Sequence, residues 1–242
     1  MNKLIVLIYT CKKNLKRRVA QENTFLKDML FDYKFVYGDS AIVNDKGIEL
    51  FLPCDEAYEK LSLKTVELIK WFYKSEYTHM LKIDDDSFID NKKLENMQLW
   101  FDYGGFMIDS QLGSNNYHLT KCTSELFKRP RVYPYQHKFA AGGGYLLSKL
   151  AAETFLHNVD ITQLHDDVSS YRTIGYEDRI VGRYVNGVGV VFHNDGKWFD
   201  IGKAAYSVFN NTIFHPVLCE EMHTLSGSYM NRFMYGKIVS LL

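Results

Sequence analysis

Lys82-Ile83-Asp84-Asp85-Asp86-Ser87-Phe88 ends an apolar run on three consecutive acids. Ahead of the acids, Tyr77, His79, Leu81 and Ile83 alternate with Thr78, Met80 and Lys82. That period of two predicts a strand. The acids then stand at its C-terminal end, where open α/β sheets form their ligand crevices. Three adjacent carboxylates repel one another, and a cation relieves the repulsion. Carboxylate oxygens suit hard ions such as Mg²⁺ or Mn²⁺. A bare acidic triplet is more often a solvated turn. Its place after a strand, in the chain described below, favours a divalent metal holding a phosphate-bearing substrate.

Working outward toward the N-terminus, the pattern alternates strand and helix. Leu4 to Tyr9 is apolar on both faces, as a central parallel strand requires. Thr10 to Asn14 follows as a loop, with Asn14 placed to cap a helix reaching about Leu30. Leu15, Val19, Leu26, Met29 and Leu30 would form that helix's apolar stripe. Lys16, Arg17 and Arg18 fall in its first turn, where cations oppose the helix dipole. They are either a solvated patch or a contact with an anion above the strand ends. Lys34 to Tyr37 and Ile48 to Leu52 read as short strands around a polar stretch, Ala41 to Gly47. After Pro53, a helix from about Tyr58 to Lys74 buries Leu61, Thr65, Leu68, Ile69 and Phe72.

Beyond the acids, a helix is expected near Lys92 to Leu99, then a strand and turn over Phe101 to Gly113. Ser114 to Arg131 is polar and irregular, with a basic cluster at Lys128, Arg129 and Arg131. Long ordered loops are often functional, and an acceptor-binding region is one reading of it. Gly142-Gly143-Gly144 sits between flanks that read as helix-like, which predicts an ordered turn approached closely by something else. Leu150 to His157 reads as a helix, His165-Asp166-Asp167 as an acidic turn or cap. Glu177-Asp178 opens a helix through Val185, and two acids there are accounted for by the dipole alone. Val188 to Phe192 reads as a strand. His215 precedes Pro216, which fixes the backbone after it.

Lys plus Arg is 29 and Asp plus Glu is 29, so the chain is neutral overall. That balance argues against nucleic-acid binding over a broad basic face and leaves a local basic pocket open. Cys11, Cys54, Cys122 and Cys219 form no CxxC pair, which argues against a zinc ribbon or redox motif. A reducing compartment fits, while an even count leaves a disulfide open. No apolar stretch is long enough to span a membrane, so a soluble, cytoplasmic protein is expected. The 242 residues, without repeats or low-complexity segments, predict one domain over 1–242. Its nucleotide-binding part would lie at about 1–90 and its acceptor-binding part at about 91–242.

Taken together in order, these segments resemble the β-1,3-galactosyltransferase/Fringe family of inverting glycosyltransferases. Asn14 to Phe25 resembles the family's opening arginine-containing helix, with Phe25 where Trp is usual. Asp55-Glu56-Ala57-Tyr58-Glu59-Lys60-Leu61-Ser62-Leu63-Lys64-Thr65 resembles its Asp-x-Tyr-x-Asn-Leu-Thr-Leu-Lys-Thr segment. Lys82 to Phe88 resembles its Lys-x-Asp-Asp-Asp-x-Phe core, and Gly142 to Ser148 its Gly-Gly-Gly-Tyr-x-x-Ser. Glu177 to Gly182 is similar to Glu-Asp-Val-x-x-Gly, with Arg179 in place of Val, and Phe214-His215-Pro216-Val217 is similar to the terminal His segment. Each piece is weak alone; six in order are not. The middle section departs most from the family.

The resemblance implies a GT-A fold, a Rossmann-like α/β/α sandwich on a mixed, mainly parallel sheet. It implies a stand-alone catalytic domain of bacterial or viral type, using a UDP-sugar donor, Mn²⁺ (or Mg²⁺) and a glycan acceptor. Asp86 and His215 would bind the metal, with Asp84 and Asp85 holding the ribose and supporting the metal shell. Asp178 would be the general base, with Glu177 as the fallback. Thr10, Arg17, Lys82 and the backbone at Gly142, Gly143 and Gly144 would lie against the donor, with Tyr145 packed beneath. Rival readings are a different metal-dependent nucleotide-using enzyme and an inactive carbohydrate-binding relative.

Overall fold

The computed structural model describes residues 3–89, 91–108, 112–114, 121–123, 132–134, 137–169, 177–186, 191–194 and 214–216. Its centre is β1 (Leu4–Tyr9), a strand buried along its whole length. β2 (Asp32–Tyr37) and β5 (His79–Asp84) flank it, both parallel. Beyond β2 come β4 (Glu49–Phe51), parallel to β2, and β3 (Asn44–Lys46), antiparallel to β4. On the other side β10 (Phe139–Ser148) runs antiparallel to both β5 and β7 (Tyr103–Ile108), and β11 (Phe192–Asn194) lies parallel to β7. The eight strands are ordered β11-β7-β10-β5-β1-β2-β4-β3. Only β10 and β3 oppose the common direction, so the sheet is mixed and mainly parallel.

Alternation along each strand divides the core. Ile5, Leu7 and Tyr9 of β1, with Met80, Tyr145 and Leu147, pack on one face beneath α2 (Leu61–Lys74), α4 (Lys149–Asn158), α5 (Ile161–Ser169) and α6 (Glu177–Tyr184). Leu4, Val6 and Ile8, with Leu81, Ile83 and Leu146, pack on the other face against Phe25, Leu26, Leu94 and Phe101. That second layer includes α1 (Leu15–Glu22), a 3₁₀ turn at Phe25–Asp28 and α3 (Asn91–Glu95). The result is a three-layer α/β/α sandwich. A small ladder, β6 (Ser87–Ile89) with β12 (Phe214–Pro216), and a second, β8 (Leu112–Ser114) with β9 (Val132–Pro134), complete the described strands.

Several local expectations are corrected. The helix expected from Asn14 to Leu30 is α1 alone, ending at Glu22. Thr24 leaves helical geometry, and the 3₁₀ turn then sends Phe25 and Leu26 into the core. Leu15 and Val19 are accordingly exposed rather than a buried stripe. Asn14 does not cap α1 with its side chain. Gly142–Gly144 is not a turn between helices. It lies inside β10, where the pairing with β7 shifts register between Ala140 and Tyr145. His165 to Asp167 is inside α5 instead of a turn, and α3 is shorter than expected. Of the strand expected at Val188 to Phe192, residues 188–190 lie outside the described residues, and Phe192 opens a strand that runs to Asn194. The Lys128, Arg129 and Arg131 cluster, Cys219 and the tail after Pro216 lie outside the described residues. Cys11 and Cys54 are free thiols, and among the described residues no helix is long and apolar enough to cross a membrane.

Candidate active site

β5 delivers the acids to the edge of the sandwich, and the chain turns at Asp85 and Asp86 before β6 begins. Three different environments separate the three carboxylates. Asp85 is buried, and both of its oxygens are held from α1's end of the site. Asn14 Nδ2 donates to Oδ2 at 2.8 Å and Arg17 Nη1 to Oδ1 at 2.8 Å. This answers the choice left open for the basic first turn of α1: Arg17 contacts an anion, and that anion is the acid turn. Arg18 instead pairs with Glu22 and Glu49 and donates to the Tyr37 hydroxyl. Gln21, fully buried, donates Nε2 to the carbonyls of Ser87 at 2.9 Å and Asp84 at 3.3 Å, clamping the turn's backbone.

Asp84 stays 41% exposed while its Oδ1 accepts from Lys82 Nζ at 2.7 Å. Asp86 reaches Arg17 only at 3.6 Å. Its carboxyl rises to about 6, first through burial and then through the charges of Asp84 and Asp85, with Arg17 and Lys121 pulling the other way. Asp86 is therefore the acid whose negative charge is least compensated by the protein. Among the described residues no three His, Cys, Asp or Glu side chains form a ready-made cage. Mg²⁺-like ions are commonly held by one or two carboxylates with substrate phosphates supplying the rest. Asp86 and Asp84 fit such an ion. β12 sets the backbone of His215 opposite Phe88, two residues beyond Asp86.

Across the crevice, α6 starts with Glu177 and Asp178. Its close approach to β10 depends on two glycines. A Cβ on Gly182 would stand 2.4 Å from the Lys138 carbonyl oxygen, and one on Gly142 would stand 2.8 Å from Glu177 Oε1. Gly142 thus faces the acid pair, and Gly143 O accepts from Ser87 Oγ at 2.9 Å. Glu177 is almost fully buried: Lys82 holds Oε1, and the Tyr145 hydroxyl donates to Oε2 at 3.1 Å. Burial pushes Glu177 up to about 7 against the pull of Lys82, with Asp84 and Asp178 adding to the rise. Lys82 loses by burial too, yet Asp84 and Glu177 outweigh that and keep its ammonium firmer than an ordinary lysine's. Lys82 faces Asp84, Glu177 and Asp178 together, so the cluster carries one cation among three acids. The excess falls on the carboxylates, which explains why both partners of the pair shift upward.

Asp178 is less enclosed than Glu177. Gly142 N donates to Oδ2 at 3.2 Å and Arg179 N to Oδ1 at 2.8 Å. Burial raises its carboxyl to about 6, against Lys82 and those two N–H groups. Such a group is ionised at neutral pH and more basic than an ordinary aspartate. Thr10, buried after β1, gives its carbonyl to Lys64 Nζ at 2.9 Å.

The sequence reading brought forward Lys82, Asp84 to Asp86, Gly142 to Gly144, Glu177, Asp178, Arg17 and Thr10, and the structure gathers them around the C-terminal ends of β1 and β5. It missed Asn14, Gln21 and Lys64 as supports. Lys64 is buried, donates to Glu56 Oε1 at 2.9 Å and stands 5.2 Å from the Tyr9 ring centroid. Its position within the Asp55–Thr65 segment was the available signal. Lys121 was also missed. Its segment is anchored by Thr123, whose N and Oγ1 donate to the two oxygens of buried Glu59 at 3.1 and 2.7 Å.

Comparison with known proteins gives this arrangement a context. The family model described as Galactosyltransferase matches residues 50–195, more than half of the chain. A search of curated proteins finds no match. Among solved structures, a glycosyltransferase involved in glycosylation of the major capsid of PBCV-1 superposes with a TM-score of 0.54 at 16% identity, over 97% of this chain and 99% of that one. An active-site mutant of LgtC superposes with a TM-score of 0.50 at 11% identity, over 97% and 96%. At these identities the likeness is one of fold.

Proposed function

The chain belongs to the galactosyltransferase family, and from that premise we propose that it is a metal-dependent inverting glycosyltransferase. It moves a hexose or N-acetylhexosamine from a UDP-sugar to a hydroxyl of a glycan acceptor, forming a β-1,3 linkage. The observation that carries this reading is the pairing of two unlike acid sites in one crevice. The under-compensated Asp86 stands on the turn after β5, and the basic, ionised Asp178 stands at the start of α6, joined to the turn through Lys82.

Asp178 takes the proton of the acceptor hydroxyl as that oxygen forms its bond to the anomeric carbon. The bond from that carbon to the diphosphate oxygen breaks on the opposite face, and UDP departs with the electron pair. One carboxylate suffices on the protein side, unlike the two a glycosidase needs. General-base assistance of this kind contributes about 10²- to 10⁴-fold. A divalent cation held by Asp86, Asp84 and His215 would neutralise charge on the leaving diphosphate. Arg17 and Asn14 keep Asp85 fixed, so the turn presents Asp86 in one orientation. Glu177, with one oxygen on Lys82 and the other on Tyr145, is already engaged. Asp178 accepts from two backbone N–H groups but has no ion pair among the described residues and is less deeply enclosed, which favours it over Glu177 as the base.

The test is a screen of UDP-glucose, UDP-galactose and their N-acetylamino counterparts with oligosaccharide acceptors, with Mn²⁺ and with EDTA. Acceptor-dependent release of UDP, lost in EDTA, with an inverted anomeric configuration in the product, is the expected result. Release of phosphate or pyrophosphate instead would move the chain to another class of metal-dependent enzyme. Sugar binding without turnover would make it an inactive relative.

A further inference from the structure

Lys82 is 0% exposed in the middle of an apolar sheet, a costly place for an ammonium. Its three N–H groups are all taken. They go to Asp84 Oδ1 at 2.7 Å, to the Gly142 carbonyl at 2.6 Å and to Glu177 Oε1. Aromatic rings close the remaining sides, with the Tyr9 centroid at 4.6 Å and the Tyr145 centroid at 5.6 Å. No proton is left to meet a donor substrate, although the sequence reading placed Lys82 there. What the lysine does reach is three separate elements: the end of β5, the glycine stretch of β10 and the first residue of α6. The Tyr145 hydroxyl holds the other Glu177 oxygen at 3.1 Å, so α6's first side chain is fixed at both ends. Asp178, the next residue, inherits that placement.

We propose that Lys82 is a positioning residue: by gripping Asp84, Gly142 and Glu177 at once, it sets where Asp178 stands relative to the acid turn. Glu177 is its counterpart, a strut and not a base. The inference rests on the reading of Asp178 as the base in sugar transfer. Displacement of a reacting group by about 1 Å costs about 10²-fold in rate, so the loss of the strut is read in kcat. UDP meets the turn, which the strut touches at Asp84 and not at Asp86, so its affinity falls far less than kcat.

The experiment compares K82M, K82R, E177Q and the double variant K82M/E177Q by transfer kinetics, thermal melting and UDP calorimetry with Mn²⁺. K82M and E177Q are each expected to lower kcat about 10²-fold while UDP affinity weakens by no more than about threefold. The double variant is expected to be no slower than either single one, since both remove the same strut. K82R restores part of kcat. Should K82M alone fail to fold because Glu177 is left buried and unpaired, the double variant carries the test: it folds, binds UDP and transfers slowly. Losses that multiply in the double variant, a double variant with wild-type kcat, or UDP affinity falling in step with kcat each overturn the proposal. Wild-type protein that transfers no sugar overturns the functional reading as well. That failure is distinct, because the proposal alone fails only with an active wild type.

Discussion

Substituting Gly142 by Ala tests how closely α6 must lie against β10. The backbone at Gly142 needs no left-handed conformation, since among the described glycines Gly47 and Gly105 alone have positive φ. Any effect is therefore steric. The new methyl would meet Glu177 Oε1 at 2.8 Å, Asp178 Oδ2 at 3.4 Å and Asp178 Cβ at 3.6 Å. Real Cβ atoms do not sit at the first of these distances, and the oxygen cannot retreat freely because Lys82 holds it. The start of α6 must move outward. Overpacking of this kind costs about 1–3 kcal/mol, or about 2–12 °C in melting temperature for a chain of this size. A shift of Asp178 by about 1 Å lowers transfer by about 10²-fold. Gly47→Ala serves as the control: it meets nothing within 4 Å but sits at φ +56°, so it costs about 1 kcal/mol and leaves transfer unchanged. Calorimetric melting and initial rates, with UDP affinity as a check on the turn, separate the two. A Gly142→Ala protein with wild-type melting and wild-type rate would refute the packing argument.

Other consequences follow from the same geometry. Arg17→Met removes the cation from buried Asp85 and leaves it held by Asn14; the expected loss, about 2–3 kcal/mol once Arg17's partial exposure is allowed for, is read from urea unfolding. Asp86→Ala is expected to reduce UDP affinity in Mn²⁺ to its value in EDTA, and affinity unchanged by the substitution would place the ion elsewhere. Asp86 and Asp178 at about 6 and Glu177 at about 7 are raised above ordinary carboxyls. The folded, ligand-free chain therefore holds protons that the unfolded chain releases. The stability from these groups is complete below about pH 4 and disappears as pH rises through about 6 to 7. Scanning calorimetry without ligand should accordingly show their contribution falling between about pH 4 and pH 7, with Mn²⁺ and UDP offsetting it; a ligand-free melting temperature that climbs throughout that range would contradict the assignment.

The parts of the fold legible in the sequence were those with a local period. β1, β5 and α2 each declare themselves by alternation or by a helical stripe, and all three stand close to where the pattern placed them. Gly142–Gly144 did not. Three glycines carry no side-chain period, and the reason for Gly142 is Glu177, a residue 35 positions away that no local pattern could bring into view. Asn14 followed the rule for a helix cap but bonds Asp85, because a buried carboxylate 71 residues on competes for its amide. The basic turn of α1 made no sense for the helix alone and gained one through Arg17 and Asp85. Lys82 and Glu177, 95 residues apart, were each singled out by motif, yet their pairing depends on the antiparallel return of β10 beside β5.

The measurement nearest the central claim is the initial rate of sugar transfer by Asp178→Asn, taken beside its UDP affinity in Mn²⁺. The expected result is a rate lower by about 10²- to 10⁴-fold with UDP affinity retained. Turnover close to wild type in that variant would contradict the account, because no other ionised carboxylate of α6 is then left to take the acceptor's proton except the engaged Glu177.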